Sequence, residues 1–210
     1  MNATPSQIRI LVVDDHPLLR QGIARLVADQ SDMSLVAEAS NGREAILQFR
    51  AHRPDVTLMD LQMPEMNGLD AIVAIRGEFP EARIIMLTTY DGDVQVLRAL
   101  KAGARAYLLK NLLRKELLET IRAVHAGKKT LSPEVSYQLA EHATDDALTP
   151  AEIAVLRLIA AGNANKQIAD QLSITEETVK GRVKNILSKL GANDRTHAAM
   201  IGLKRGIIEF

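Results

Sequence analysis

Five short apolar runs alternate with segments of helical period, and this alternation limits the chain more than any other feature. The runs are Ile8–Val13, Ser34–Ala39, Val56–Met59, Arg83–Leu87 and Ala106–Leu109. After each, apolar residues recur at the spacing of one helix face, over 17–30, 41–51, 67–78, 92–103 and 112–127. A strand that is apolar at consecutive positions is buried on both faces. A parallel sheet covered by helices supplies that burial. Residues 1–127 are therefore expected to form an α/β domain with a doubly wound, five-stranded parallel sheet.

The pattern changes after residue 127. The stretch around 127–148 brings Gly127, Pro133 and the acidic pair Asp145-Asp146, and Ser132-Pro133 offers an N-cap followed by Pro at the first helical position. A linker with a short helix over about 133–142 is expected. From 148 to 210 no strand pattern remains. Thr149-Pro150-Ala151-Glu152 reads as a capping box that opens a helix to about Ala161, ended by Gly162. A short helix over 166–172, the connection Ser173-Ile174-Thr175, a longer helix to Leu190 and a last helix over about 194–205 follow. Two helices joined by a three-residue turn, the second one basic, predict an all-α helix-turn-helix domain.

The charge distribution separates the same segments. The chain is formally neutral, yet residues 1–127 carry net −1, 128–147 net −2 and 148–210 net +3. Lys180, Arg182, Lys184 and Lys189 follow one another with no acid between them, which points to an anionic partner for the small domain. At 100° per residue, Val179, Val183, Ile186, Leu187 and Leu190 form an apolar stripe, while Lys180, Lys184 and Ser188 lie on the exposed side. Gly181 sits near the centre of that polar arc, so packing does not explain it. These residues predict a recognition helix for a DNA major groove, with Lys180, Gly181, Arg182, Lys184 and Lys189 facing the nucleic acid. The last helix offers Ala198, Ala199, Met200, Ile201 and Leu203, an apolar excess whose exposed part is expected to meet a second copy of the chain.

The absence of Cys excludes disulfides, thiolate catalysis and Cys-based zinc sites, and fits a reducing cytoplasm. No apolar run reaches the roughly 18 residues of a membrane span, and "MNATPSQ" lacks the pattern of a secretion signal. The five His residues show no metal-ligand spacing, and His16 is read as shaping the turn before Pro17.

Asp14 and Asp15 end the first strand, a costly place for adjacent charges. Open parallel sheets bind ligands beyond the carboxyl ends of their strands, where strand order reverses. In the flavodoxin-like order 2-1-3-4-5 that point lies between strands 1 and 3. Asp60 ends strand 3, so three carboxylates converge there and call for a hard cation such as Mg²⁺. Without a G-x-G-x-x-G turn, a dinucleotide is not expected. Thr88 and Lys110 follow strands 4 and 5 to the same rim. A hydroxyl and an ammonium opposite the acids suit the oxygens of a phosphoryl group, and an Asp can itself accept that group.

The acid pair, Asp60 in "LMDLQMP" with "MNG" after it, Thr88 and Lys110 together resemble the receiver domain of two-component response regulators. The sequence from Leu148 to Gly206 resembles the LuxR-type helix-turn-helix. Jointly they resemble the NarL/FixJ class over nearly the whole chain. The resemblance implies that Asp60 is the phosphoacceptor and that Asp14 or Asp15, with Asp60 and the backbone carbonyl of Gln62, holds Mg²⁺. It implies that Lys110 binds the phosphoryl oxygen and that Thr88 and Tyr107 form a switch pair, although Tyr107 also reads as a half-buried strand aromatic. Gln62 and Tyr90 would control water access. A sensor histidine kinase, a double-stranded DNA operator and a homodimer on DNA are the implied partners. One departure is Asn111, where many receivers follow the Lys with Pro. Two rivals stand beside this reading. One is a Mg²⁺-dependent aspartyl-phosphate phosphatase, which of the haloacid-dehalogenase type would want D-x-D where Leu61-Gln62 follow Asp60. The other is a DNA-binding protein whose receiver is a constitutive dimer module.

Overall fold

Ile10, Leu11, Val12 and Val13 have no solvent exposure, because β1 (Ile8–Val13) is an inner strand covered on both faces. The computed structural model describes residues 7–89, 93–131, 135–137 and 147–208. β1 lies between β2 (Met33–Ala39) and β3 (Val56–Asp60), followed by β4 (Ile84–Thr88), β5 (Ala106–Leu109) and β6 (Thr130–Leu131). All pairings are parallel, in the order β2-β1-β3-β4-β5-β6.

The five expected strands and their order are present, and the sheet gains a sixth. β6 has two residues, pairing Ala106 with Thr130 and Tyr107 with Leu131. So short a strand at an edge leaves no periodicity to read, and it falls inside the stretch 128–147 assigned to a linker. Of the helix expected over 133–142, residues 135–137 are helical, and the remainder lies outside the described residues.

Alternate side chains of each strand face opposite ways. On one face Ile10, Val12, Leu58 and Leu87 pack with Ile23 of α1 (Pro17–Ala28) and Leu117 of α5 (Leu113–His125). On the other, α2 (Gly42–His52) and α3 (Gly68–Glu78) bury Ala45, Phe49, Ala71, Ile72 and Ile75. Asn41 and Asn67 start these two helices by accepting the backbone N–H of Glu44 and Asp70. α4 (Asp93–Ala102) lies between β4 and β5 in the chain.

Strand register sets the functional rim. Val13 pairs with Met59, Asp60 with Leu87, and Thr88 with Leu109. The residues at or just past these strand ends are Asp14, Asp60, Thr88 and Lys110.

The chain divides into two compact units, one from residues 1–136 without 90–95, the other from 90–95 and 137–210. In the second, α6 (Pro150–Ala160), α7 (Asn165–Leu172), α8 (Glu176–Leu190) and α9 (Arg195–Lys204) surround Val155, Leu156, Ile168, Val179 and Ile186. The Thr149 capping box forms as its sequence predicts, with both reciprocal bonds made. α9 divides its apolar residues between core and surface. Ala198 and Ala199 are buried in the core of their own domain, and Leu203 packs against it, leaving Met200 as the exposed large apolar side chain of that helix. Its apolar excess is thus largely intramolecular. With α6 and α8 both leaning on α9, a domain this small needs more than one apolar face from that helix.

Candidate functional site

Lys110 joins two buried carboxylates. Its Nζ lies 2.7 Å from Asp14 Oδ2 and 2.9 Å from Asp60 Oδ2. Asp14 is completely buried, and Asp60 is 3% exposed. Lys110 opens a 3₁₀ turn, Lys110–Leu112, and the departure at Asn111 does not keep its ammonium from either acid. Asp14 is held from several sides. Its N–H donates to Ala39 O in β2, its own carbonyl accepts Arg20 Nη1 at 2.6 Å, and its Oδ1 accepts the N–H of His16 at 2.8 Å.

Burial dominates the electrostatics of Asp60, pushing its pKa up to about 6 from 3.8. Lys110 pulls against that shift, Asp14 adds to it by repulsion, and a hydrogen bond from the Gln62 N–H opposes it. For Lys110, burial works against the charge, yet its two carboxylate partners outweigh burial and raise its pKa. The three groups therefore form a buried cluster with two negative charges and one positive. A further cation on the open side would complete the balance.

Asp14, Asp15, His16 and Asp60 each present one donor atom, and these atoms lie within 4.8 Å of one another. Asp15 is the more open acid, with 31% of its side chain exposed. Three oxygen donors at an open rim fit a hard divalent ion that retains waters. The three acids, read from strand ends, do converge. His16 stands at the N-cap of α1, before Pro17, as the sequence predicts, and its Nδ1 lies 2.7 Å from Asp15 Oδ1 and 3.2 Å from Asp14 Oδ1. Arg20, on the Asp14 carbonyl, and Gly68, against the Asp60 backbone, also shape the rim and carry no sequence signal of their own.

Thr88 is buried at the end of β4, one residue beyond the partner of Asp60. Tyr107 is fully buried rather than half-buried, in register with Met86 and Leu131 on its two neighbours. Gln62 is exposed just past the acceptor strand. Tyr90 lies outside the described residues.

In the second unit, Ser173 takes a left-handed backbone (φ 52°) to end α7, and Thr175 caps α8 by accepting the Thr178 N–H. Val179 and Ile186 of α8 are buried, as the apolar stripe predicts. Lys180, Gly181 and Lys184 are exposed, and Arg182 is partly so. Lys180 sits 3.6 Å from Glu176 and 3.8 Å from Glu177. Lys189 does not join this face. Its Nζ turns inward to Glu152 Oε2 at 2.9 Å and to Ala147 O at 3.2 Å. Glu152 is a buried acid. Burial would raise its pKa, but the Thr149 and Lys189 hydrogen bonds outweigh burial and lower it. Lys189 is thus a structural counter-ion, a correction to its placement among the DNA-facing residues. Among the described residues, no helix is long and apolar enough to cross a membrane.

Comparison with known proteins matches residues 10–122 to the response regulator receiver domain and residues 146–201 to bacterial regulatory proteins of the luxR family. The response regulator protein VraR of Staphylococcus aureus is 38% identical over 207 residues, which cover 96% of this chain and 99% of VraR. Among solved structures, the response regulator ChrA of a heme-sensing two-component system is 34% identical with a TM-score of 0.58, over 97% of this chain and all of that one. RcsB of Salmonella enterica serovar Typhimurium, bound to a promoter with the phosphomimetic BeF3−, is 26% identical with a TM-score of 0.75, over 96% of this chain and all of that one.

Proposed function

Because this chain belongs to the response regulators, joining a receiver domain to a LuxR-type DNA-binding domain, we propose that a histidine kinase phosphorylates Asp60 and that this promotes operator binding. The observation that carries the reading is the bridge from Lys110 to Asp14 and Asp60 at the rim set by strand register. In the transfer, the phosphorus–nitrogen bond of the kinase's phosphohistidine breaks as a bond forms to an Asp60 carboxylate oxygen. The nucleophile is the ionised form, so the elevated pKa of Asp60 keeps a neutral fraction present near pH 6.

Asp14, Asp15, Asp60 and the Gln62 carbonyl are the groups to hold Mg²⁺. When bound, Mg²⁺ supplies positive charge that offsets both the acids and the incoming phosphoryl oxygens. Lys110 is already at the acceptor carboxylate and can follow the new phosphoryl oxygens. The modification adds about −1.5 to −2 charge, which draws in the Thr88 hydroxyl and biases Tyr107 between two buried settings. The protein acts in the cytoplasm and binds DNA as a dimer, with α8 in the major groove and Met200 on α9 as part of the contact between copies.

The relatives are response regulators rather than enzymes, and Leu61-Gln62 after Asp60 lacks the D-x-D of the phosphatase alternative. The reading is tested with acetyl phosphate or phosphoramidate. Intact mass should show one added phosphate that requires Mg²⁺ and disappears in Asp60→Asn. An acid-stable phosphate retained by Asp60→Asn would move the site elsewhere.

A further inference from the structure

We propose that Gly42, the first residue of α2, is a positioning residue for phosphorylation: its N–H and its missing side chain hold the loop that follows Asp60. This rests on Asp60 being the acceptor, as in the proposed function. Gly42 belongs to a strand–helix connection that supplies none of the site's own groups. Yet that connection touches both loops that do. Ala39, the last residue of β2, accepts the Asp14 N–H at 3.1 Å. Three residues later, the Gly42 N–H donates to Met66 O at 3.0 Å. Met66 lies in the loop that runs from Asp60 to the start of α3.

Space, not backbone conformation, requires glycine here. Gly42 opens a helix and is not one of the glycines with positive φ. On helix propensity alone, alanine would be the better residue. A β-carbon on Gly42 would stand 2.6 Å from Met66 Cγ, 2.8 Å from Met66 O and 3.0 Å from Ala71 Cβ. Carbon atoms in contact settle at about 3.5–4.0 Å. The Met66 side chain can turn away. Its carbonyl cannot move without the loop, and Ala71 cannot move without α3.

The connection is rigid, whereas the loop needs support. Ser40 donates its N–H and Oγ to Glu44 Oε2 at 2.7 and 2.8 Å, and the buried Asn41 accepts the Glu44 N–H at 2.9 Å. In the loop, the Met66 N–H closes a tight turn onto Pro64 O at 2.7 Å, and Glu65 between them has φ 64°. That left-handed conformation is costly for a residue with a side chain and persists only where its surroundings enforce it. The Gly68 N–H closes the base of the loop on Leu61 O, and Gly42 holds its far side. Pushed off Gly42, the loop relaxes at Glu65 and carries the Asp60 backbone with it. A misplacement of about 1 Å can cost about 100-fold in rate, so a shift of a few tenths should cost about tenfold.

The test compares the full-length wild type with Gly42→Ala, Gly42→Ala combined with Met66→Ala, and Val124→Ala. The last is a destabilised control, because Val124 is buried in the last turn of α5. Phosphorylation at saturating acetyl phosphate and Mg²⁺ is followed by intact mass, at a temperature where denaturant curves show each variant folded. Gly42→Ala should react about tenfold more slowly per folded molecule, while Val124→Ala keeps the wild-type rate. Removing the Met66 side chain relieves the contact at Cγ but not at the carbonyl, so the double variant should remain slow. A wild-type rate in Gly42→Ala overturns the proposal. Full recovery in the double variant does so too, since the effect is then side-chain crowding, and equal slowing in Val124→Ala reduces it to general stability. One readout needs no variant. The first N–H of a helix has no intrahelical partner, so the Gly42 N–H should resist hydrogen exchange only because Met66 holds it. Fast exchange there in the wild type overturns the brace. A wild-type chain that gains no phosphate instead removes the acceptor reading itself.

Discussion

The α-carbon of Gly68 stands so close to the carbonyl of Asp60 that a β-carbon there would collide with the oxygen. The Gly68 N–H also donates to Leu61 O at 2.9 Å. The first residue of α3 thus presses on the backbone of the acceptor residue, and only glycine fits. Gly68→Ala must displace either α3 or Asp60, so it should cost about 1–3 kcal/mol and cut phosphorylation more than tenfold. Gly77 lies in the same helix, and a β-carbon added to it would meet nothing within 4 Å. Gly77→Ala should therefore stabilise by about 0.5–1 kcal/mol and leave phosphorylation alone. Thermal unfolding and the rate of mass gain with acetyl phosphate separate the two variants. Equal phosphorylation rates in both would show that this close approach does not position Asp60.

Asp60 makes stability depend on pH in a stated direction. Its folded pKa of about 6 exceeds the ordinary 3.8, so between those values the folded chain holds a proton that the unfolded chain releases. Its contribution is therefore present below about pH 4 and declines as the pH rises through about 6, by about 3 kcal/mol in all. Asp60→Asn removes this term. Its advantage over wild type should grow between pH 4.5 and 7.5, and Mg²⁺ should shrink it by stabilising the ionised wild type. A stability difference that stays flat over that range would contradict the assigned environment.

Lys110 answers two buried acids at once. Lys110→Met leaves Asp14 and Asp60 facing each other without their shared cation, a loss of about 3–5 kcal/mol near neutral pH. Because the cost is that of two unpaired charges, lowering the pH should restore much of the stability, and so should Mg²⁺. Denaturant midpoints at two pH values, with and without Mg²⁺, measure this. A loss independent of both would point to packing rather than charge.

The legible parts of this fold were those with a local signature. β1, β3, β4 and β5 are buried on both faces, and the strand ends then placed Asp14, Asp60, Thr88 and Lys110 by topology alone. The misread parts depend on distant partners. β6 exists because β5 offers it an edge, and its two residues carry no pattern of their own. Lys189 lies at the margin of the polar arc, and its partner Glu152 is 37 residues earlier in the chain. Which apolar residues of α9 are covered was likewise not readable, because that depends on how α6 and α8 pack against it.

Lys189 and Lys184 separate structural from DNA-facing charge on one helix. Lys189→Ala strips the buried Glu152 of its cation and should destabilise the C-terminal domain by about 1–3 kcal/mol. The lowered pKa of Glu152 means that its contribution is present above its ordinary 4.5 and fades as the pH falls. The salt dependence of DNA binding should be unchanged in this variant. Lys184→Ala, on the exposed side, should leave stability within about 0.5 kcal/mol and reduce the salt slope of binding by about one. Fluorescence anisotropy across a salt series, beside thermal unfolding, reads both. Swapped outcomes would reverse the assignment.

Gly181 gives the sharpest test of how α8 meets DNA. It lies mid-helix on the exposed face, and a β-carbon added there would meet nothing within 4 Å. Neither core packing nor backbone conformation demands glycine, and glycine costs about 0.5–1 kcal/mol in a helix interior relative to alanine. Gly181→Ala should therefore raise thermal stability by about that amount. A neutral surface position would show this gain and nothing more. If the helix lies with this face on the groove floor, a methyl group enters the contact, and operator affinity should fall or shift in sequence preference while non-specific binding stays the same. Lys180, held 3.6 Å from Glu176 in the free domain, flanks that face. Lys180→Ala should relax preference at one base pair if it reads a base, or lower the salt slope by about one if it holds a phosphate. Wild-type operator binding by Gly181→Ala, Lys180→Ala and Lys184→Ala across salt would exclude α8 as the reading helix.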